Sequence, residues 1–139
     1  MGVCRTEWMK ALGVFPEMAP VHNERDGSVS IIAAPIEGIA GGAYQTNRSV
    51  IYRVLVDVTH LRAQLPIVWV TSPSEAEIQH VNIFHPIQCS ITHSPYPYLC
   101  WGNYGPQWAT YPEANRTLLS FLQLIQQHLT HHNVKSVAR

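Results

Sequence analysis

The chain has 139 residues, which is the length of a single domain (residues 1–139) with one substantial hydrophobic core. Nine lysine and arginine residues balance nine aspartate and glutamate residues. This neutral charge argues against nucleic-acid binding by counterion release, and no charge run points to an electrostatic partner. Only 13% of residues are charged, against about 25% in ordinary domains, so we expect a partner protein to cover part of the surface.

Three cysteines, Cys4, Cys89 and Cys100, are too few for a secreted disulfide framework and lack the C-x-x-C spacing of thiolate zinc sites. No stretch approaches the roughly 18 apolar residues that a transmembrane helix needs. Glu7 and Lys10 interrupt the N-terminus before an apolar run develops, so no secretory signal is expected. We therefore expect a cytoplasmic protein with no membrane partner.

The first half of the chain predicts one helix followed by short strands. Glycines at positions 38, 41 and 42 predict a turn between the first two strands. The predicted elements are a helix over residues 4–12, a loop over 13–27, and strands at Ser28–Ala34, Ala43–Thr46 and Ser49–Asp57.

The strand at Ser49–Asp57 is the clearest of these elements. Residues 50, 52, 54 and 56 are apolar or aromatic and share one face, while Ile51 and Leu55 lie on the other. Because both faces are largely apolar, this strand should be central, with a helix over one side.

The second half predicts a further strand at Pro66–Thr71 and then a long irregular region over residues 72–112, which contains six prolines including Pro112. Irregular regions of this length in compact domains are usually functional. Pro112 is expected to begin a long helix, which ends near His132-Asn133. Its apolar stripe comprises Leu118, Phe121, Leu122, Ile125 and Leu129.

The order of these elements predicts an α+β fold, in which helices pack on an antiparallel sheet. The expected architecture is an N-terminal helix, a four-stranded antiparallel meander, a long irregular crossing and a long C-terminal helix.

The segment from Cys100 to Ala109 reads Cys-Trp-Gly-Asn-Tyr-Gly-Pro-Gln-Trp-Ala, a composition typical of a loop. His80-Val81-Asn82 lies upstream of it. A thiol beside an amide donor is what nucleophilic acyl transfer needs. Taken alone, however, a cysteine such as Cys100 is more often a buried structural residue, and Asn82 is explained equally well as a turn former.

Together these residues resemble the ubiquitin-conjugating enzymes. That family has a helix, four antiparallel strands, a His-Pro-Asn turn, a cysteine in a long loop, a tryptophan eight positions later and then a helix. Here the resemblance lies in Leu65–Thr71 for the fourth strand, His80-Val81-Asn82 for the turn, the Cys100-to-Trp108 spacing, and Leu118–Leu129 for the helix.

The resemblance implies a cysteine acyltransferase that needs no cofactor. An activating enzyme would pass the C-terminal carbonyl of a ubiquitin-like protein to Cys100 as a thioester, and an amine on a target protein would then attack it. Asn82 would hold the active-site loop or stabilise the oxyanion. The remaining implied roles belong to His80, which would brace the turn, Trp108, which would pack under the loop, and Trp101, which would be core or shield the thioester.

The resemblance also implies partners. The first helix, around Arg5, Trp8 and Lys10, would meet the activating enzyme. Because the chain ends after one long helix, it is most similar to compact bacterial conjugating-enzyme-like proteins, which belong to antiviral operons with a ubiquitin-like protein, an activating-enzyme homologue and a metallopeptidase.

Three departures keep alternatives open. Val81 replaces the proline of the turn, and seventeen residues separate Asn82 from Cys100, which is longer than the family usually shows. Whether Asn82 reaches the thiol is therefore open, and Cys89 lies nearer the usual interval. The alternative function is a catalytically inactive adaptor of the same fold that only binds partner proteins.

The histidines offer a weaker alternative, a metal site. His128, His131 and His132 share one helix end, while His80, His85 and His93 are loosely grouped. No His-Glu-x-x-His or comparable signature is present, and a histidine near a helix C-terminus has an electrostatic reason to be there. We therefore expect no metal.

Overall fold

The computed structural model describes residues 2–40, 48–74, 78, 80, 82–102 and 104–131. Over these residues the chain forms three α-helices, a short 3-10 helix and one six-stranded antiparallel sheet. The α+β prediction is therefore confirmed, whereas the predicted number of four strands is wrong.

The sheet has the strand order β1-β2-β3-β4-β6-β5, so β1 to β4 form a meander and a hairpin extends it. The helices are α1 (Arg5–Leu12), α2 (Tyr104–Thr110) and α3 (Leu118–Leu129), with the 3-10 helix at Glu113–Asn115. The strands are β1 (Ala19–Asn23), β2 (Val29–Ala40), β3 (Arg48–Asp57), β4 (Val68–Ser72), β5 (Ile83–Gln88) and β6 (Pro95–Leu99).

Two sequence predictions hold closely. The helix predicted over residues 4–12 is α1. The strand predicted at Ser49–Asp57 is β3, which lies between β2 and β4 and buries Tyr52, Val54 and Val56 on its core side. Its central position follows from the apolar character of both faces.

The first sheet edge differs from the prediction. Residues 19–23, which were expected to be loop, form the edge strand β1. All five residues of this strand are exposed, and the strand pairs with β2 alone. Gly38 lies inside β2 rather than in a turn. The predicted strand at Ala43–Thr46, with Gly41 and Gly42, lies outside the described residues.

The region over residues 72–112 is not wholly irregular, because it contains β5, β6 and α2. Prolines obscured these elements in the sequence. Pro86 is tolerated in β5 because an edge strand need not donate on both sides, and Pro95 is the first residue of β6. The pairing of β5 with β6 also shifts register between Phe84 and Ile87.

The long helix begins later than Pro112. Pro112 precedes the 3-10 helix, and α3 begins at Leu118 after Thr117, whose side chain accepts a hydrogen bond from the Ser120 N–H over 3.2 Å. The helix ends at Leu129, short of the predicted His132-Asn133.

The main core lies on one face of the sheet, under α1 and α3. The predicted apolar stripe of α3 is buried there, together with His128. A second, smaller hydrophobic cluster contains Leu55, Trp69 and Cys89. Within the described part of the chain, no helix has the length and apolar character needed to cross a membrane.

Gly38 allows β2 to approach the end of α3. A Cβ atom at this position would lie 2.7 Å from the Leu129 carbonyl oxygen, 2.8 Å from Leu129 Cβ and 3.0 Å from Tyr52 Cε2. Two of these atoms belong to or adjoin the backbone, so the helix end would have to move.

We therefore expect Gly38→Ala to lower the free energy of unfolding by about 1–3 kcal/mol through overpacking. Gly105→Ala is the matched control, because nothing lies within 4 Å of a Cβ there and alanine suits a helix. Urea denaturation of both variants checks this. Equal midpoints for Gly38→Ala and the wild type would contradict the close approach.

Candidate functional site around Cys100

The β5–β6 hairpin brings Asn82 and Cys100 together. Ile83 pairs with Leu99, so the residues just outside this pair continue the ladder. The Cys100 N–H donates to the Asn82 carbonyl over 2.7 Å. The seventeen intervening residues therefore do not separate the two, since an antiparallel hairpin joins its ends whatever its length.

The three cysteines have different surroundings. Cys100 is half-buried, Cys4 is exposed, and Cys89 is completely buried beside Leu55 and Trp69. A thiol must be accessible to accept an acyl group. The structure thus favours Cys100 over Cys89 as a nucleophile.

His80 lies in the core with 1% of its surface exposed. Its Nδ1 accepts from the Asn82 N–H over 3.1 Å. The opposite nitrogen, Nε2, lies 2.9 Å from the Leu129 carbonyl oxygen and must donate to it, because a carbonyl only accepts. His80 thereby ties the turn before β5 to the end of α3. Val81, between His80 and Asn82, lies outside the described residues.

The Asn82 side chain also binds the end of α3. Nδ2 donates to the His128 carbonyl over 3.0 Å and to the His131 carbonyl over 2.7 Å. These carbonyls belong to the last turn of the helix or follow it, where intrahelical donors run out. Both amide hydrogens of Asn82 are therefore used in holding the turn, which leaves none for an oxyanion.

His128 is a site residue that the sequence analysis did not assign. It is 3% exposed, and its Nε2–H donates to the Cys100 carbonyl. The sequence carried a signal for it. Position 128 lies three residues after Ile125 on the core-facing stripe of α3, and a polar residue in such a stripe needs a hydrogen-bond partner.

Two aromatic residues enclose the His128 ring. Trp101 stacks on it, with ring centroids 5.7 Å apart and planes at 19°. Tyr104 meets it edge-on at 4.6 Å. The Trp101 indole N–H donates to the Pro66 carbonyl over 2.8 Å, which fixes the tryptophan. Trp101 is therefore a half-buried side chain that packs beside Cys100.

Trp108 lies in α2 and is completely buried. Its indole N–H donates to the Leu61 carbonyl over 2.9 Å, and its ring contacts Tyr111 and Phe121. It anchors the segment that follows Cys100 to the loop after β3 and to α3. Gly102, with φ at +54°, makes the turn that starts this segment.

The residues proposed for partner binding lie on α1. Arg5 and Lys10 are exposed, while Trp8 is partly buried against the core. Lys10 also lines a cleft of about 630 Å³ between α1 and the segment before α3, next to the 3.1 Å ion pair of Glu7 and Arg62. Cys100 is not among the residues that line this cleft.

The rings of His80, His128 and His131 lie within hydrogen-bond distance of backbone groups. In the part of the chain that the structure describes, no three His, Cys, Asp or Glu side chains lie close enough to hold a metal ion. His132 lies outside that part.

No protein-family model, curated protein or solved structure matches this chain.

Burial lowers the pKa of His128, an effect that outweighs the opposing hydrogen bond to the Cys100 carbonyl and is reinforced by nearby His131. The unfolded chain therefore takes up a proton at this residue that the folded protein does not. As the pH falls below about 6.5, this difference should reduce stability, by at most about 1.4 kcal/mol per pH unit.

We expect urea denaturation from pH 7.5 to 5.5 to show a steeper loss of stability in the wild type than in His128→Gln. An NMR titration should place the pKa of His128 below 6.5. Parallel stability curves for the two proteins, or an NMR pKa at or above that value, would contradict the burial argument.

Asn82→Ala should lower the free energy of unfolding by about 1–3 kcal/mol, because the His128 and His131 carbonyls lose their donors. Asn115→Ala, at an exposed asparagine, is the control and should change stability by no more than about 0.5 kcal/mol. Thermal or urea unfolding measures both. An Asn82→Ala protein as stable as the control would mean that this amide does not hold the turn.

Proposed function

We propose that this protein is a conjugating enzyme for a ubiquitin-like protein, with Cys100 as the residue that carries the thioester. The observation that supports this most is the Cys100–Asn82 hydrogen bond of 2.7 Å, since it joins the half-buried thiol residue to the turn that resembles His-Pro-Asn.

The proposed reaction has two acyl transfers. The Cys100 sulfur attacks the thioester carbonyl that an activating enzyme presents. A new C–S bond forms, the old one breaks, and the activating enzyme's thiol leaves with the proton that Cys100 gave up. A target amine then attacks the same carbonyl, a C–N bond replaces the C–S bond, and the amine proton returns to the Cys100 thiol.

The order of the elements supports the proposal. A helix (α1), four antiparallel strands (β1 to β4), the His80–Asn82 turn, Cys100, Trp108 eight positions later and a helix (α3) follow the sequence of features in the conjugating enzymes. We propose that the fold is a variant of theirs, in which the β5–β6 hairpin enlarges the region between the turn and the cysteine.

Asn82 is proposed to act by holding the loop. Its two amide hydrogens bind carbonyls at the end of α3, so the oxyanion role that the resemblance also allowed is not part of this proposal. Loss of an oxyanion donor typically costs about 100- to 1,000-fold in rate. For this reason the same observation favours a second candidate function, an adaptor of this fold that catalyses no reaction.

The proposed partners are an activating enzyme, a ubiquitin-like protein and a target protein. The exposed Arg5 and Lys10, with Trp8 between them, form the surface proposed for the activating enzyme. A role in bacterial antiviral defence follows from the resemblance, and this role and a cytoplasmic location belong to the same proposal.

The experiment incubates the protein with ATP, a candidate activating enzyme and its ubiquitin-like protein, taken from neighbouring genes. The wild type should form an adduct that a thiol reductant cleaves. Cys100→Ser should form a slower, reductant-resistant ester, because the attacking atom is then oxygen. Gel shift and intact mass report both products.

Cys4→Ser is the control and should charge like the wild type, since its thiol is not part of the site. Full charging of Cys100→Ala would refute the assignment of the nucleophile. Partner binding by the wild type without any adduct would favour the adaptor.

A further inference from the structure

His128 closes a ring of three hydrogen bonds with Cys100 and Asn82. The Cys100 N–H donates to the Asn82 carbonyl over 2.7 Å, and Asn82 Nδ2 donates to the His128 carbonyl over 3.0 Å. The Nε2–H of His128 donates to the Cys100 carbonyl. Both backbone polar groups of Cys100 are thus bound, one by the turn before β5 and one by α3.

The His128 ring has little freedom to leave this arrangement. Trp101 stacks on it, and Tyr104 meets it in a T-shaped arrangement with ring centroids 4.6 Å apart. Trp101 is itself held by Pro66 and packs against Phe121, with ring centroids 6.0 Å apart. Water has little access to the buried imidazole, so it does not compete for the Cys100 carbonyl.

We infer that His128 is the positioning residue for Cys100, which holds the thiol in place against the Asn82 turn by binding the Cys100 carbonyl. The inference rests on the proposed thioester function. A nucleophile must lie in a near-attack position, and a displacement of about 1 Å can cost about 100-fold in rate. His128 does not touch the reacting atoms and acts only through the backbone of Cys100.

Histidine suits this position for three physical reasons. The site is buried, so a permanently charged lysine or arginine would be costly. It lies against two aromatic rings, which a flat ring fills. It faces a backbone carbonyl, to which leucine or phenylalanine could not donate. Neutral imidazole with hydrogen on Nε2 meets all three demands.

The test compares two variants. His128→Phe keeps a flat ring beside Trp101 and Tyr104 but has no donor, whereas His128→Gln keeps an amide N–H. The probe is a glycine-ended peptide thioester of mercaptoethanesulfonate. Cys100 gains the acyl group through a new C–S bond, and mercaptoethanesulfonate leaves as the thiol.

We expect H128F to slow Cys100 acylation by about ten-fold or more. Hydrogen exchange of the Cys100 amide should become faster in the same variant, because its carbonyl is no longer held. H128Q should restore most of both properties. Exposed His60 provides the control, since His60→Phe should leave acylation unchanged, and iodoacetamide labelling of exposed Cys4 should be equal in all proteins.

Wild-type acylation and wild-type amide exchange in H128F would overturn the inference. If H128F does not fold, NMR of isotope-labelled histidine in the wild type decides, because hydrogen on Nδ1 of His128 instead of Nε2 would also overturn it. If the wild type accepts no acyl group, the proposed function fails, and the Cys100 amide exchange still tests the role of His128 separately.

Discussion

The hydrogen bond from the Cys100 N–H to the Asn82 carbonyl is the constraint on which the site depends. It is the first backbone bond beyond the β5–β6 ladder, so it forms only when that hairpin has paired in the correct register. Closing a loop of this length costs entropy, but the cost grows slowly with length. The His80 and His128 bonds to this pair of residues then connect the hairpin ends to α3, which belongs to the main core. A change in the strand pairing would therefore disturb the Cys100–Asn82 bond and the bonds of His80 and His128 at once.

Sequence reasoning recovered the parts of the fold that repeat regularly. The helix over residues 4–12, the central strand at Ser49–Asp57 and the apolar stripe of α3 all show a period that one face of a helix or strand must have. It missed β1 and β5 because edge strands carry little apolar alternation and tolerate proline, and it missed β6, which lies between β4 and β5, because that strand begins with Pro95. It placed the start of α3 too early because Pro112 suits a first helical turn, while the cap is formed by Thr117.

The sequence named candidate residues for the site but not their contacts. Cys100, Asn82 and His80 were proposed from a short pattern along the chain, yet the pattern could not tell that Asn82 directs its amide to α3. His128 lies twenty residues beyond Trp108, the last of the residues assigned to the site from the sequence, and only the packing of α3 brings it to Cys100. A buried polar residue on an apolar stripe is the signal that links such distant positions, because the core must supply its partner.

The two edges of the sheet carry a further consequence. β1 contains Pro20 and two register irregularities, and β5 contains Pro86 and one. An open strand of regular geometry offers a row of free N–H and C=O groups to any neighbouring chain, which is how intermolecular sheets grow. Proline removes a donor from that row, and an irregularity bends it out of line. Features that obscured these strands in the sequence thus also make them poor templates for aggregation in a crowded solution.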